Sequence, residues 1–97
     1  MRGFPRTARS RAGYQLDQVQ HGEEPDDWKP MKTVGPGVYE IRVKDDASNN
    51  YRVIYIAKYE EAVYVLHCFH KTTPQTAQTD IDLAKSRLRD LNKKRAK

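Results

Sequence analysis

Val38-Tyr39-Glu40-Ile41-Arg42-Val43-Lys44 is the stretch on which the fold turns. Tyr39, Ile41 and Val43 alternate with Glu40, Arg42 and Lys44, the period of two that marks a strand with one apolar and one charged face. Asp45-Asp46-Ala47-Ser48-Asn49-Asn50 follows, a turn by composition. Tyr51 to Tyr59 then reads as a second strand, apolar on both faces over much of its length and therefore central. Glu60-Glu61 marks a tight turn, and Ala62 to Lys71 is a third strand. Two consecutive hairpins make an antiparallel meander.

Working outward, residues 6–20 read as a helix. Ala8, Ala12, Leu16 and Val19 recur on a narrow apolar stripe, Gly13 weakens it, and Gly22 is a C-terminal stop. Glu23 to Pro36 is a polar connector, with Trp28 and Met31 expected to tuck onto the core. Thr72 to Gln78 is a loop around Pro74. A last helix is expected from about Asp80 to Lys94, with Thr79 as N-cap, Asp82 in the capping-box position, and Ile81, Ala84, Leu88 and Leu91 as its apolar stripe. Lys85, Arg87 and Arg89 lie off that stripe. The expectation is a single α+β domain over residues 1–97: an N-terminal helix, a three-stranded antiparallel meander and a C-terminal basic helix, with a basic tail from about residue 92.

Composition narrows the function. A chain of 97 residues folds with a net stability of only about 5–15 kcal/mol, so surface chemistry on a sheet is easier to build than a deep cofactor cavity. No apolar run approaches the roughly 20 residues that cross a bilayer, and no apolar segment follows Met1-Arg2-Gly3-Phe4-Pro5 as a signal peptide requires. Cys68 is the only cysteine; it excludes an internal disulfide and fits the reducing cytoplasm. In its apolar run it reads as a buried inert thiol. The net charge is +5, unevenly spread. Residues 1–11 carry four arginines and no acid, and residues 85–97 carry seven basic residues against Asp90. An acidic patch, Glu23, Glu24, Asp26 and Asp27, lies between. Basic ends suggest contact with phosphates or with an acidic partner, although a basic C-terminal helix end also suits the helix dipole.

Several chemistries find no residues here. There is no Gly-rich phosphate loop, no Cys or His pair at zinc spacing, and no serine nucleophile elbow. His67 and His70 fall on opposite faces of a strand. What remains is one sheet face. Pairing parity places Arg42 and Arg52 on it together, with Glu40, Lys44, Ile54 and Ile56. Arg52 interrupts a central apolar strand, an expensive place for a guanidinium without a partner. That partner is either Glu40 or a substrate phosphate. The third strand adds Phe69 and Lys71 to this face if the Glu60-Glu61 loop has two residues, or His70 and Cys68 if it is one residue longer. In either register Lys71 or His70 lies near Arg52, and Arg42, Lys44, Arg52 and Lys71 would form a compact cationic site, with Phe69 or a tyrosine available to stack on a base.

The order of helix, polar connector, three-strand meander and basic helix resembles the RelE/ParE superfamily of bacterial toxins, in particular its phage-related HigB-like branch. The match rests on Arg11-Ala12-Gly13-Tyr14-Gln15-Leu16, Asp26-Asp27-Trp28-Lys29-Pro30-Met31, Gly35 to Val43, Tyr51-Arg52-Val53-Ile54-Tyr55, Leu66 to Lys71 and Asp80 to Ala84. The resemblance implies the toxin of a type II toxin–antitoxin pair that cuts mRNA on the ribosome, without metal or cofactor, by attack of a ribose 2′-OH on the adjacent phosphate. By the same resemblance Arg52, Lys71 and Arg42 are the catalytic cations, Glu40 a base or an orienter of Arg52, and His70 an acid–base group if it faces them. Lys44, Phe69, Lys85, Arg87 and Arg89 are expected to touch RNA. The implied partners are a cognate antitoxin of helix-turn-helix type, the ribosome and mRNA, with no membrane. Relatives normally begin with a strand ahead of the segment Phe4-Pro5-Arg6, so the resemblance leads one to expect an edge strand to be missing here. Two other readings accompany the enzyme: a ParE-like inhibitor of DNA gyrase, and an inactive truncated relative that only binds antitoxin.

Overall fold

A computed structural model of the chain describes residues 4–57, 63–72 and 77–95. The first helix, α1 (Arg6–Gln20), has the expected bounds. It ends on His21 and Gly22, the latter at φ 80°. Gly22 N–H donates to the Val19 carbonyl and Glu23 N–H to the Gln18 carbonyl, the paired bonds of a Schellman stop.

Four strands follow: β1 (Trp28–Pro30), β2 (Val38–Lys44), β3 (Asn50–Ile56) and β4 (Tyr64–Lys71). They form one antiparallel sheet in chain order. The expected meander is β2–β3–β4. The expectation of three strands is corrected by β1, which pairs Trp28 with Ile41 and Pro30 with Tyr39 on the outer side of β2. Three residues are too few to show a period of two, and Pro30 marks them as loop. An edge strand, however, tolerates a missing N–H. Trp28 is fixed by an edge contact to Tyr39, ring centroids 5.4 Å apart, and Met31 is buried as expected. The Glu60-Glu61 turn and Pro74 lie outside the described residues.

The last helix, α2 (Gln78–Arg95), begins two residues earlier than expected. The Ala77 carbonyl accepts from Asp80 and Ile81 N–H, so Thr79 and Asp82 sit inside the helix rather than forming its capping box. The expected stripe holds: Ala84 is buried, and Ile81, Leu88 and Leu91 pack beside it.

The helices lie on opposite faces of the sheet. Phe4, Ala8 and Ala12 pack on Ile41, Val43, Tyr51, Val53 and Tyr55. The α2 stripe packs on Val38, Ile54, Ile56 and Leu66, together with Met31 and Val34. Gly35 lets α2 approach: a Cβ there would stand 2.8 Å from a Leu88 methyl. Because apolar residues occupy only one end of this second face, α2 covers that end and leaves the charged end open. No helix among the described residues is long and apolar enough to cross a membrane.

Candidate functional site

The open end of the second face is built by alternation along three strands. β2 contributes Glu40, Arg42 and Lys44, β3 contributes Arg52, and β1 contributes Lys29 opposite Glu40. Arg42 and Arg52 are direct cross-strand partners. On β4, Phe69 is opposite Arg52 and Lys71 is opposite Asn50, so Phe69 and Lys71 share the arginine face. The register then shifts. Ile54 faces His67 but Tyr55 faces Val65, which leaves Leu66 as the extra residue of a bulge. The bulge lets Leu66 join the core under α2 while Phe69 and Lys71 keep to the arginine face. The two registers that the sequence leaves open therefore meet within this one strand.

His70 lies on the other face. It is opposite Tyr51 and stacks on its ring, centroids 4.9 Å apart. The condition for its acid–base role, that it faces the cations, is not met. Phe69 is partly buried and has one side of its ring against His67, centroids 5.2 Å apart. Arg87 does not line the arginine concavity: its Nη1 donates to the Leu66 carbonyl at 2.9 Å and lies 3.1 Å from His67 Nδ1. Lys85 and Arg89 are exposed on α2.

At the centre is Glu40, whose side chain is wholly excluded from solvent. Its Oε1 lies 3.3 Å from Arg52 Nε, 3.8 Å from Arg42 Nε and 3.8 Å from Lys29 Nζ. Asp27 holds the outer end of Arg42 at 3.7 Å. A concavity of about 310 Å³ opens between Asp27, Arg42, Lys44, Asn50 and Arg52. Lys29, Arg42, Lys44, Arg52 and Lys71 thus stand against two carboxylates, Glu40 and Asp27, and the surplus is positive. Burial pulls the Arg52 guanidinium below its ordinary value; Glu40 opposes this and Arg42 adds to it. Burial likewise lowers Lys71, and the charge of Arg52 lowers it further. Charges held against desolvation and one another are ready to receive an anion.

Three contacts escape the sequence reading. Lys29 and Asp27 lie in the segment read as connector, and β1 is too short for any alternation to place Lys29 opposite Glu40. Gln15 is buried on α1 and grips the chain before β1, donating from Nε2 to Asp26 Oδ2 at 2.8 Å and accepting from Asp26 N–H at 2.7 Å. His67 Nε2 lies 2.8 Å from Asp80 Oδ1 on α2. Among the described residues no three His, Cys, Asp or Glu side chains gather as a metal site would need. Cys68 is a free, partly buried thiol packed on the α1 side.

Residues 1–89 match the family described as Phage derived protein Gp49-like (DUF891). Searches of curated proteins and of solved structures find no match. With residues 1–89 of 97 aligned to it, the chain belongs to the Gp49-like family of phage-derived proteins, within the RelE/toxin-like group.

Proposed function

We propose that this chain is a RelE/ParE-superfamily toxin of a type II toxin–antitoxin pair and that it cleaves mRNA on the ribosome. The observation that carries the reading is the convergence of Lys29, Arg42, Arg52 and Lys71 around buried Glu40 on an open sheet face. Such a face suits a phosphodiester. The ribose 2′-hydroxyl gives up its proton to water as its oxygen attacks the neighbouring phosphorus, the bond to the 5′-oxygen breaks, and a 2′,3′-cyclic phosphate and a 5′-hydroxyl result. Arg42, Arg52 and Lys71 stabilise the charge that builds on the phosphoryl oxygens, the kind of fixed electrostatics that dominates such sites. Glu40, shut away from solvent, positions Arg52 rather than taking the proton. Lys71 is the cation best suited to give a proton to the leaving 5′-oxygen, since its ammonium is already destabilised. The partners are the ribosome, mRNA and a cognate antitoxin of helix-turn-helix type that covers the cationic face, and the place of action is the cytoplasm.

The test is primer extension on one defined mRNA in a reconstituted bacterial translation mixture. Wild-type protein is expected to give discrete cuts that need translation, and Arg52→Gln to lose them while circular dichroism shows a folded chain. Intact mRNA in the presence of folded wild type overturns the nuclease reading in favour of an inhibitor that works by binding.

A further inference from the structure

A second concavity, of about 450 Å³, lies between α1 and the end of β2. Arg11, Tyr14 and Ser10 of α1 form one wall, and Arg42, Val43 and Lys44 of β2 the other. Arg42 and Lys44 also line the concavity that holds Arg52. The two hollows therefore adjoin at Arg42 and Lys44, near the edge of β2. The reason lies in the strand lengths. β1 pairs no farther than Trp28 with Ile41, so beyond Arg42, whose N–H donates to the Asp27 carbonyl, no strand among the described residues flanks the outer edge of β2.

The wall residues suit a nucleotide. Tyr14 is 60% exposed, the most exposed large apolar residue among those described, and its hydroxyl accepts from Gln18 Nε2. A lone exposed aromatic is ordinary; this one flanks a hollow with three cations. Arg11 is pinned, with Nη1 donating to the Lys44 carbonyl and Nη2 2.9 Å from Asp46 Oδ1. A guanidinium fixed at its tips presents a flat face, as an aromatic ring does. Asp26, on the same hollow, is engaged by Gln15.

We propose that this cleft is a second subsite for single-stranded RNA. The chain leaves the Arg52 concavity over Arg42 and Lys44, and a flanking base stacks on Tyr14 beside the Arg11 guanidinium. The proposal rests on the RNA reading above and extends it to a surface that reading does not use. Stacking tolerates any base, so the subsite adds affinity with little sequence preference.

The test is fluorescence anisotropy at low salt with a fluorescein-labelled 2′-O-methyl uridine hexanucleotide, which resists cleavage, and with the corresponding dinucleotide, too short to span both hollows. Tyr14→Ala is expected to weaken hexanucleotide binding about tenfold and to leave dinucleotide binding as it was. Tyr14→Phe, which keeps the ring, restores the hexanucleotide affinity. Tyr14 is exposed, so its variants fold, and thermal unfolding checks that they do. If Arg52→Gln weakens hexanucleotide binding and Tyr14→Ala does not, the subsite is overturned and the RNA reading stands. If the folded wild type binds neither oligonucleotide, the subsite is overturned together with RNA binding by this face.

Discussion

Arg42 and Arg52 face each other directly across β2 and β3. Like charges at such a position weaken a sheet, and both arginines reach the same buried oxygen of Glu40. The arrangement is tolerable as a unit and costly in parts. Arg52 Nε lies 3.3 Å from that oxygen. Structural economy alone would favour one arginine opposite one glutamate. The surplus of cations at that spot is what the proposed phosphodiester site would use.

The pair should therefore show strong coupling. Arg52→Gln or Glu40→Gln alone leaves buried charge poorly matched and is expected to cost about 3 kcal/mol in urea unfolding. The double variant should recover about 1 kcal/mol or more of the summed losses. Strictly additive losses would show that Glu40 and Arg52 do not act on each other.

Lys71 should trade stability for function. Its ammonium is lowered from the ordinary lysine value, by burial first and then by Arg52. A lysine lowered in the fold binds its proton less readily there than in the unfolded chain. The charged form thus destabilises the fold at neutral pH, and that penalty fades as pH rises through the folded value toward the unfolded one. Lys71→Met is expected to raise the melting temperature at pH 7, with the gain shrinking as pH rises toward the unfolded lysine value, and to reduce mRNA cleavage. A lower melting temperature at pH 7 with undiminished cleavage would contradict both parts.

How much of this was legible follows from which signals are local. The alternation of Tyr39, Ile41 and Val43 with Glu40, Arg42 and Lys44 fixed β2 residue by residue, and with β3 it put Arg42 beside Arg52. Periodicity is a local property, so those readings carried through. β1 was invisible because three residues containing Pro30 have no period to read. The side chosen by His70 was open because it depends on a bulge at Leu66, and the bulge answers to α2 packing across the sheet. Arg87 looked like a free basic residue on a helix; only the tertiary position of β4 shows that the Leu66 carbonyl accepts from it.

The β2–β3 turn should be acid-sensitive. Asp45 Oδ1 accepts from Ala47 and Asn49 N–H, and Oδ2 accepts from Asn49 Nδ2 and the Tyr51 hydroxyl. The Asn49 side chain and these other donors hold the Asp45 carboxyl below its ordinary value. A carboxylate lowered in the fold adds stability above its unfolded value, and the contribution is lost as pH falls through the folded value. Asp45→Ala is expected to lower the melting temperature at pH 7, with the deficit shrinking as pH falls below the ordinary carboxylate range. In the same turn Ser48 sits at φ 64°, so Ser48→Gly should add up to about 1 kcal/mol. A constant Asp45→Ala deficit from pH 7 to pH 2 would rule out the charge as the cause.

The tie between β4 and α2 should prove to be a clasp and not a proton-transfer site. Arg87 has no acceptor, so where its Nη1 meets His67 Nδ1 at 3.1 Å the ring nitrogen accepts. The His67 proton then sits on Nε2 and is donated to Asp80 Oδ1 at 2.8 Å. Both ring nitrogens are thereby engaged, which leaves none for a substrate. Nitrogen-15 shifts at neutral pH are expected to show the Nε2–H tautomer. Arg87→Met should cost about 1 kcal/mol of stability through the lost bond to the Leu66 carbonyl, and the folded variant should still cleave mRNA. An Nδ1–H tautomer, or a fully folded Arg87→Met that no longer cuts, would instead move His67 and Arg87 into the reacting site.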